Sequence, residues 1–300
     1  MEEASPLVEL FLPIGLAVIM ATLGLSLRTE DFKRVLTAPR GVVIGLGNLL
    51  LVSPLLAFAV AEIFGLDPLL AVGLVLLGAS PGGTMANLLT HLARGETALS
   101  VTMTAVSSVA AVVTVPLFLG LAIAHFEVVG LTNEVSLLGI VLRVFLITLI
   151  PLAIGMSFAA RAPERARALE PRLKRVALVV FIGIIAAAVF EERALIIDSF
   201  PIIGPAALAL NVAAMSFSFV AARLGRLSDR QATAIAMELG VHNSTLTITV
   251  AAAIDTRLAI PAAVYSVFMF VTAGSFAAIM KAHNSGTVEY PPPTEAASGR

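Results

Sequence analysis

Long apolar stretches, each about the 20 residues that a helix needs to cross a bilayer, recur along the chain. They fall at 7–27, 41–65, 69–93, 97–124, 135–160, 174–192, 199–222, 230–253 and 257–281. The pattern predicts an all-α polytopic membrane protein of nine transmembrane helices. Two stretches are interrupted by polar or helix-breaking residues. The third carries Ser80-Pro81-Gly82-Gly83-Thr84, and the eighth carries Gly240 followed by His242-Asn243-Ser244. Both are expected to unwind in the middle. Residues 1–282 form one transmembrane unit on this reading, and residues 283–300, with Pro291-Pro292-Pro293, a disordered cytoplasmic tail. Met1 to Pro6 lacks the basic stretch of a cleavable signal peptide, so the first apolar stretch is expected to be retained.

Composition agrees with the periodicity. Hydrophobic residues make up 58% and charged residues 13%, against about 45–50% and 25% in soluble chains. The net charge of −1 decides nothing, but its placement does. Sixteen of the nineteen Lys and Arg fall on one side of the predicted topology; Arg193 and Arg257 fall on the other, and Arg143 inside a span. The positive-inside rule then puts the N-terminus outside and the C-terminus in the cytoplasm of a cell-membrane protein. Spans 3 and 8, five apart, run in opposite directions. Spans 1–4 repeating as spans 6–9 would make an inverted repeat, with span 5 unpaired.

Glu238 is an acid at membrane depth, which costs several kcal/mol unless a cation, a proton or a watery cavity meets it. Each break would free backbone carbonyls for a cation, and N–H groups at a half-helix N-terminus for an anion. Proline kinks and packing glycines are the plainer alternative for either break alone; two breaks beside amides and hydroxyls favour a binding site. Oxygen ligands for a hard cation such as Na⁺ stand nearby: Thr84 and Asn87 after the first break, Asn243 and Ser244 at the second. Ser100, Thr104 and Ser107–Ser108 fall at helical spacing and form a polar stripe. Helix packing accounts better for Ser107 and Ser108, whereas for Ser100 and Thr104 spacing leaves both readings open. His242 lies one turn after Glu238 and is expected to hydrogen-bond. Asn48 and Asn211 fit helix glue, and Gly41 with Gly45 fits small-xxx-small packing. Apart from Arg143 the spans hold no cation for an anionic substrate, so helix dipoles would have to suffice.

The four histidines are scattered and there is no cysteine, so no transition-metal site is expected. Gly78 to Gly83 lacks the Lys-Ser/Thr ending of a phosphate-binding loop. No nucleic-acid partner is expected. An intramembrane enzyme using Glu238 and His242 would need a further metal ligand or nucleophile, and only hydroxyls are near.

The chain resembles the bile acid:sodium symporter family. Three segments carry the likeness: Gly78-Ala-Ser-Pro-Gly-Gly-Thr-Met-Ala-Asn87, Leu92-Ala-Arg-Gly-Glu-Thr-Ala-Leu-Ser-Val-Thr-Met-Thr104 and Glu238-Leu-Gly-Val-His-Asn-Ser244. The resemblance implies a panel domain of spans 1, 5 and 6 and a core domain of spans 2–4 and 7–9. Discontinuous spans 3 and 8 would cross within the core. It implies a sodium site at Asn87, Ser100, Thr104 and Glu238, with Ala86 giving only its backbone carbonyl where the family has serine. A second ion site would use Glu238, the backbone of Leu239 and Val241, and two glutamines. His242 and Leu49 stand at those positions, and Asn48 would substitute only with a register shift. Sodium-coupled symport of an organic anion by alternating access is the implied function, the anion facing Thr84, Asn243 and Ser244. The altered second site makes a proton-coupled carrier the alternative. Na⁺, the organic anion and membrane lipid are the expected partners, with no bound cofactor.

Overall fold

The computed structural model describes residues 6–37, 39–128, 137–191 and 193–285. All but the first three residues of the expected tail lie outside these, and 283–285 close the last helix. Twelve helices are described: α1 (Pro6–Ser26), α2 (Thr29–Thr37), α3 (Pro39–Ile63), α4 (Pro68–Gly78), α5 (Thr84–Leu92), α6 (Thr97–His125), α7 (Leu138–Arg161), α8 (Pro163–Glu191), α9 (Arg193–Leu224), α10 (Asp229–Gly240), α11 (Ser244–Ala252) and α12 (Thr256–Ser285). Among the described residues, α3, α6, α7, α9 and α12 are each long and apolar enough to cross a membrane. A sixth span is reached if Leu12–Ser26 and α2, bent by 66°, count as one. Many large apolar side chains, among them Ile63, Val113, Ile197, Leu224 and Val271, point outward. A soluble protein would not leave so much apolar surface open; lipid is its solvent.

Capping residues set the shorter helices. Asp67 accepts from the Leu69 N–H at 3.1 Å and Pro68 starts α4 without needing a partner. Ser228 and Gln231 form a reciprocal capping box at the start of α10. Asn243 accepts from the Leu246 N–H at 3.1 Å and so restarts the chain as α11. Two helices carry a π turn, Asn48–Val52 in α3 and Phe145–Leu149 in α7. Pro54 and Pro151 stand two residues past their ends, after Ser53 and Ile150. A proline cannot donate to the carbonyl four residues back, and the wider turn absorbs that gap.

Helices α1, α7 and α8 pack on one another, and α9 packs on α10 and α12. The α1–α7 contact is backbone against backbone. A side chain added at Gly24 would strike the Leu152 carbonyl, and one at Gly155 the Ala21 carbonyl. Gly41 and Gly45 do face a neighbouring helix, α6, through Leu99 and Met103. This close approach through small residues is how membrane helices gain contact without a hydrophobic driving force.

Candidate functional site

Glycine and proline stop α4 at Gly78 and leave 79–83 irregular, while 241–243 separate α10 from α11. The two interruptions meet. Gly83 N–H donates to the Val241 carbonyl at 2.7 Å and Asn243 N–H donates to the Pro81 carbonyl at 2.8 Å. Gly82 and His242 thereby form an antiparallel bridge. Irregular backbone at depth is tolerated only when its polar groups are satisfied within the protein, and each break satisfies the other.

Glu238 is fully buried beside this junction. Its Oε1 accepts from Ser100 Oγ at 2.6 Å, and Thr104 Oγ1 lies 2.8 and 3.0 Å from Oε1 and Oε2. Asn87 Oδ1 is 2.8 Å from Ser100 Oγ and 3.3 Å from Thr104 Oγ1. The structure thus brings together Asn87, Ser100, Thr104 and Glu238 from three helices, with Ala86 buried on the same turn as Asn87. Two hydroxyl protons serve the carboxylate and the amide oxygen, so acceptors outnumber donors. No basic side chain pairs with Glu238 among the described residues. An all-oxygen cluster with one carboxylate and a shortage of protons suits a hard cation.

The other candidates are placed differently. His242 Nδ1 lies 3.2 Å from the Ser80 carbonyl and must carry the proton there; Ser53 Oγ lies 3.1 Å from Nε2. His242 is therefore held by two serines rather than by Glu238. The Val241 carbonyl is taken by Gly83, and the Leu239 carbonyl lies 3.4 Å from the Tyr265 hydroxyl. Asn48 is buried at the start of the π turn and is bonded to none of these groups. Ser244 is buried with its hydroxyl 3.8 Å from Met269 Sδ. Ser107 Oγ, by contrast, lies within 3.4 Å of the Gly82 N–H.

Asn211 does more than glue helices. Its Nδ2 donates to the Gly240 carbonyl and to Tyr265 Oη, each at 2.8 Å, and Tyr265 Oη also reaches the Gly240 carbonyl at 3.1 Å. Together they cap the end of α10 in place of the missing turn. Tyr265→Phe leaves the Asn211–Gly240 bond in place and should cost about 1 kcal/mol. Asn211→Leu removes both 2.8 Å bonds and leaves the Gly240 carbonyl only the longer one from Tyr265 Oη, and should cost about 1–3 kcal/mol. Thermal unfolding in detergent would order the two.

A cavity of about 540 Å³ opens beside the junction. Thr84, Asn87, His242 and Asn243 line its inner end, whereas Ser244 does not reach it. Its other end is lined by Ser26, His91, Glu170, Lys174 and Arg175. The cavity wall thus carries two cations besides the helix N-termini. The sequence marked Lys174 and Arg175 only as orienting charges, yet α8 starts at Pro163 and carries both onto the cavity wall. Glu170 accepts from Ser26 Oγ at 3.0 Å and pairs with Lys174 at 2.7 Å. Burial would raise its pKa, but hydrogen bonds from Lys174 and Ser26 outweigh that and hold the carboxyl below its usual value.

A family model described as the Sodium Bile acid symporter family matches residues 13–199. The chain is 32% identical to the "Uncharacterized sodium-dependent transporter YocS" of Bacillus subtilis (strain 168), over 86% of this chain and 79% of that one. It is 28% identical to the "Probable sodium/metabolite cotransporter BASS1, chloroplastic" of Arabidopsis thaliana, over 79% of this chain and 58% of that longer one. It is 26% identical to the human "Ileal sodium/bile acid cotransporter", over 93% and 82%.

Proposed function

This chain belongs to the sodium bile acid symporter family, a family of transporters rather than enzymes, and from that premise we propose that it is a secondary active transporter carrying an organic anion together with Na⁺ by alternating access. The proton-poor oxygen cluster around Glu238 carries the reading. Sodium sits among Asn87, Ser100, Thr104 and Glu238, completed by the Ala86 carbonyl. It neutralises the buried carboxylate and draws α5, α6 and α10 together. Asn87 lines the cavity as well, so the ion settles a residue that the substrate meets. The anion faces the N-termini of α5 and α11 at Thr84 and Asn243, where backbone N–H groups and the helix dipoles favour negative charge.

One cation per cycle fits the second candidate set, because the carbonyls of Leu239 and Val241 and both ring nitrogens of His242 already have protein partners. Nine passes of the cell membrane, the broken pairs α4/α5 and α10/α11 each counting as one, leave the N-terminus outside. Helices α1, α7 and α8 then form the panel and the rest the core, arranged as inverted repeats with the two broken pairs crossing in the core. The cavity end at His91 and Arg175 lies on the cytoplasmic side, which makes this the inward-open state.

Sodium, but not potassium or choline, should raise the melting temperature of the purified protein. A sodium gradient should drive uptake of an organic anion into liposomes. Uptake driven by a pH gradient without sodium would replace this reading with the proton-coupled one.

A further inference from the structure

The cavity is long, and its two ends differ. Along α8 it runs from Glu170 to Phe181, and along α5 from Thr84 to His91; at 1.5 Å per residue these are about 16 and 10 Å. The inner end offers hydroxyl, amide and helix N-termini. The wall between is apolar, with Leu23, Leu88, Leu178 and Phe181. The outer end holds two cations against one carboxylate. Glu170 is spent on Lys174 and Ser26. Arg175 makes one long bond, from Nε to the Pro171 carbonyl at 3.4 Å, and no ion pair among the described residues. Its guanidinium fork is left over on the wall of the cavity.

Resting on the symport reading above, we propose that Arg175, assisted by Lys174, binds a second anionic group of the substrate, which is an elongated dianion with an apolar body. One carboxylate meets the N-termini of α5 and α11, and the other meets Arg175, which stands six residues before Phe181 on α8 and so about 10 Å away. Guanidinium takes a carboxylate in a two-point fork that a lysine cannot match. The Glu170–Lys174 pair sets the field of the mouth so that a net positive charge remains. A monoanion of the same length fills the cavity but leaves Arg175 to water. Selection among organic anions is then made at the mouth, by charge and length together, and not at the junction that the ion shares.

The test measures thermal stabilisation of the purified protein by straight-chain alkanedioates and by alkanoates of matching length, in sodium and in potassium. Dioates spanning about 10 Å should half-saturate at roughly tenfold lower concentration than the matching alkanoates. R175Q should erase that advantage, R175K should restore part of it, and both should leave alkanoate binding and the sodium-induced shift unchanged. Equal weakening of both classes by R175Q, or no change in either, would overturn the proposal. Loss of the sodium shift in the wild type with the dioate preference intact would overturn only the symport reading.

Discussion

Glu238→Gln should abolish the sodium-induced rise in melting temperature and lower sodium-driven uptake by roughly 100-fold, the equivalent of about 3 kcal/mol. Glutamine keeps the volume of the side chain and can still accept from Ser100 or Thr104. What changes is the charge and the proton count. The carboxylate brings two acceptors into a cluster that has two hydroxyl protons and the Asn87 oxygen already competing for them. The glutamine amide brings two protons instead, and one of them can reach that oxygen. The cluster then satisfies itself. In sodium-free buffer the variant should consequently melt at or above the wild-type temperature, because an uncompensated buried charge has been removed. The opposite signs separate an ion site from a structural acid. A variant less stable in every salt, with its sodium shift retained, would show Glu238 to be structural and the cation to bind elsewhere.

Most of the helical frame was legible because a membrane helix declares itself by length and apolarity. The stretch expected at 97–124 is helix Thr97–His125, and the two interrupted stretches break at the expected residues. Legibility fails where polar helix continues past the apolar part. Helix α8 begins eleven residues before the apolar run at 174, sustained by the Glu164–Arg167 and Glu170–Lys174 pairs at one-turn spacing. A hydropathy reading sees those residues as loop and counts Lys174 and Arg175, at the very edge of the run, only as orienting charges, although both line the cavity. The short amphipathic α2 escaped for the same reason; Arg34 on it pairs with Glu96 across to the start of α6. The site was half legible. Asn87, Ser100, Thr104 and Glu238 could be gathered from residue type and resemblance, and they do converge. Partner choice could not be gathered that way. A turn of helix puts His242 near Glu238 in sequence, but the unwound backbone between them rotates the ring towards Ser53 and Ser80. Nothing in residue order announces a tyrosine on α12 capping the end of α10.

Gly82→Ala should cost the sodium response as fully as the loss of the carboxylate does. The Cβ of an alanine there would collide with Oε2 of Glu238. Neither partner can step aside. The carboxylate is gripped by Ser100 and Thr104, and the backbone of the first break is tied to the second by the Gly83–Val241 and Asn243–Pro81 bonds. Overpacking of this kind costs about 1–3 kcal/mol, and here it acts on the group that would hold the ion. Lost stability alone would not identify the cause, since any insult to the junction lowers the melting temperature. The double variant Gly82→Ala/Glu238→Ala does identify it. Removing the carboxylate opens the space the new methyl needs, so the double variant should be more stable than Gly82→Ala alone, with strongly non-additive effects, while neither responds to sodium. At Gly83 the added Cβ would instead meet the His242 and Val241 carbonyls at 3.0 Å, and no change at residue 238 should rescue it. Additive effects of Gly82→Ala and Glu238→Ala would mean that the glycine is there for the turn and not for the carboxylate. The first break would then be a scaffold beside the ion site, not one of its walls.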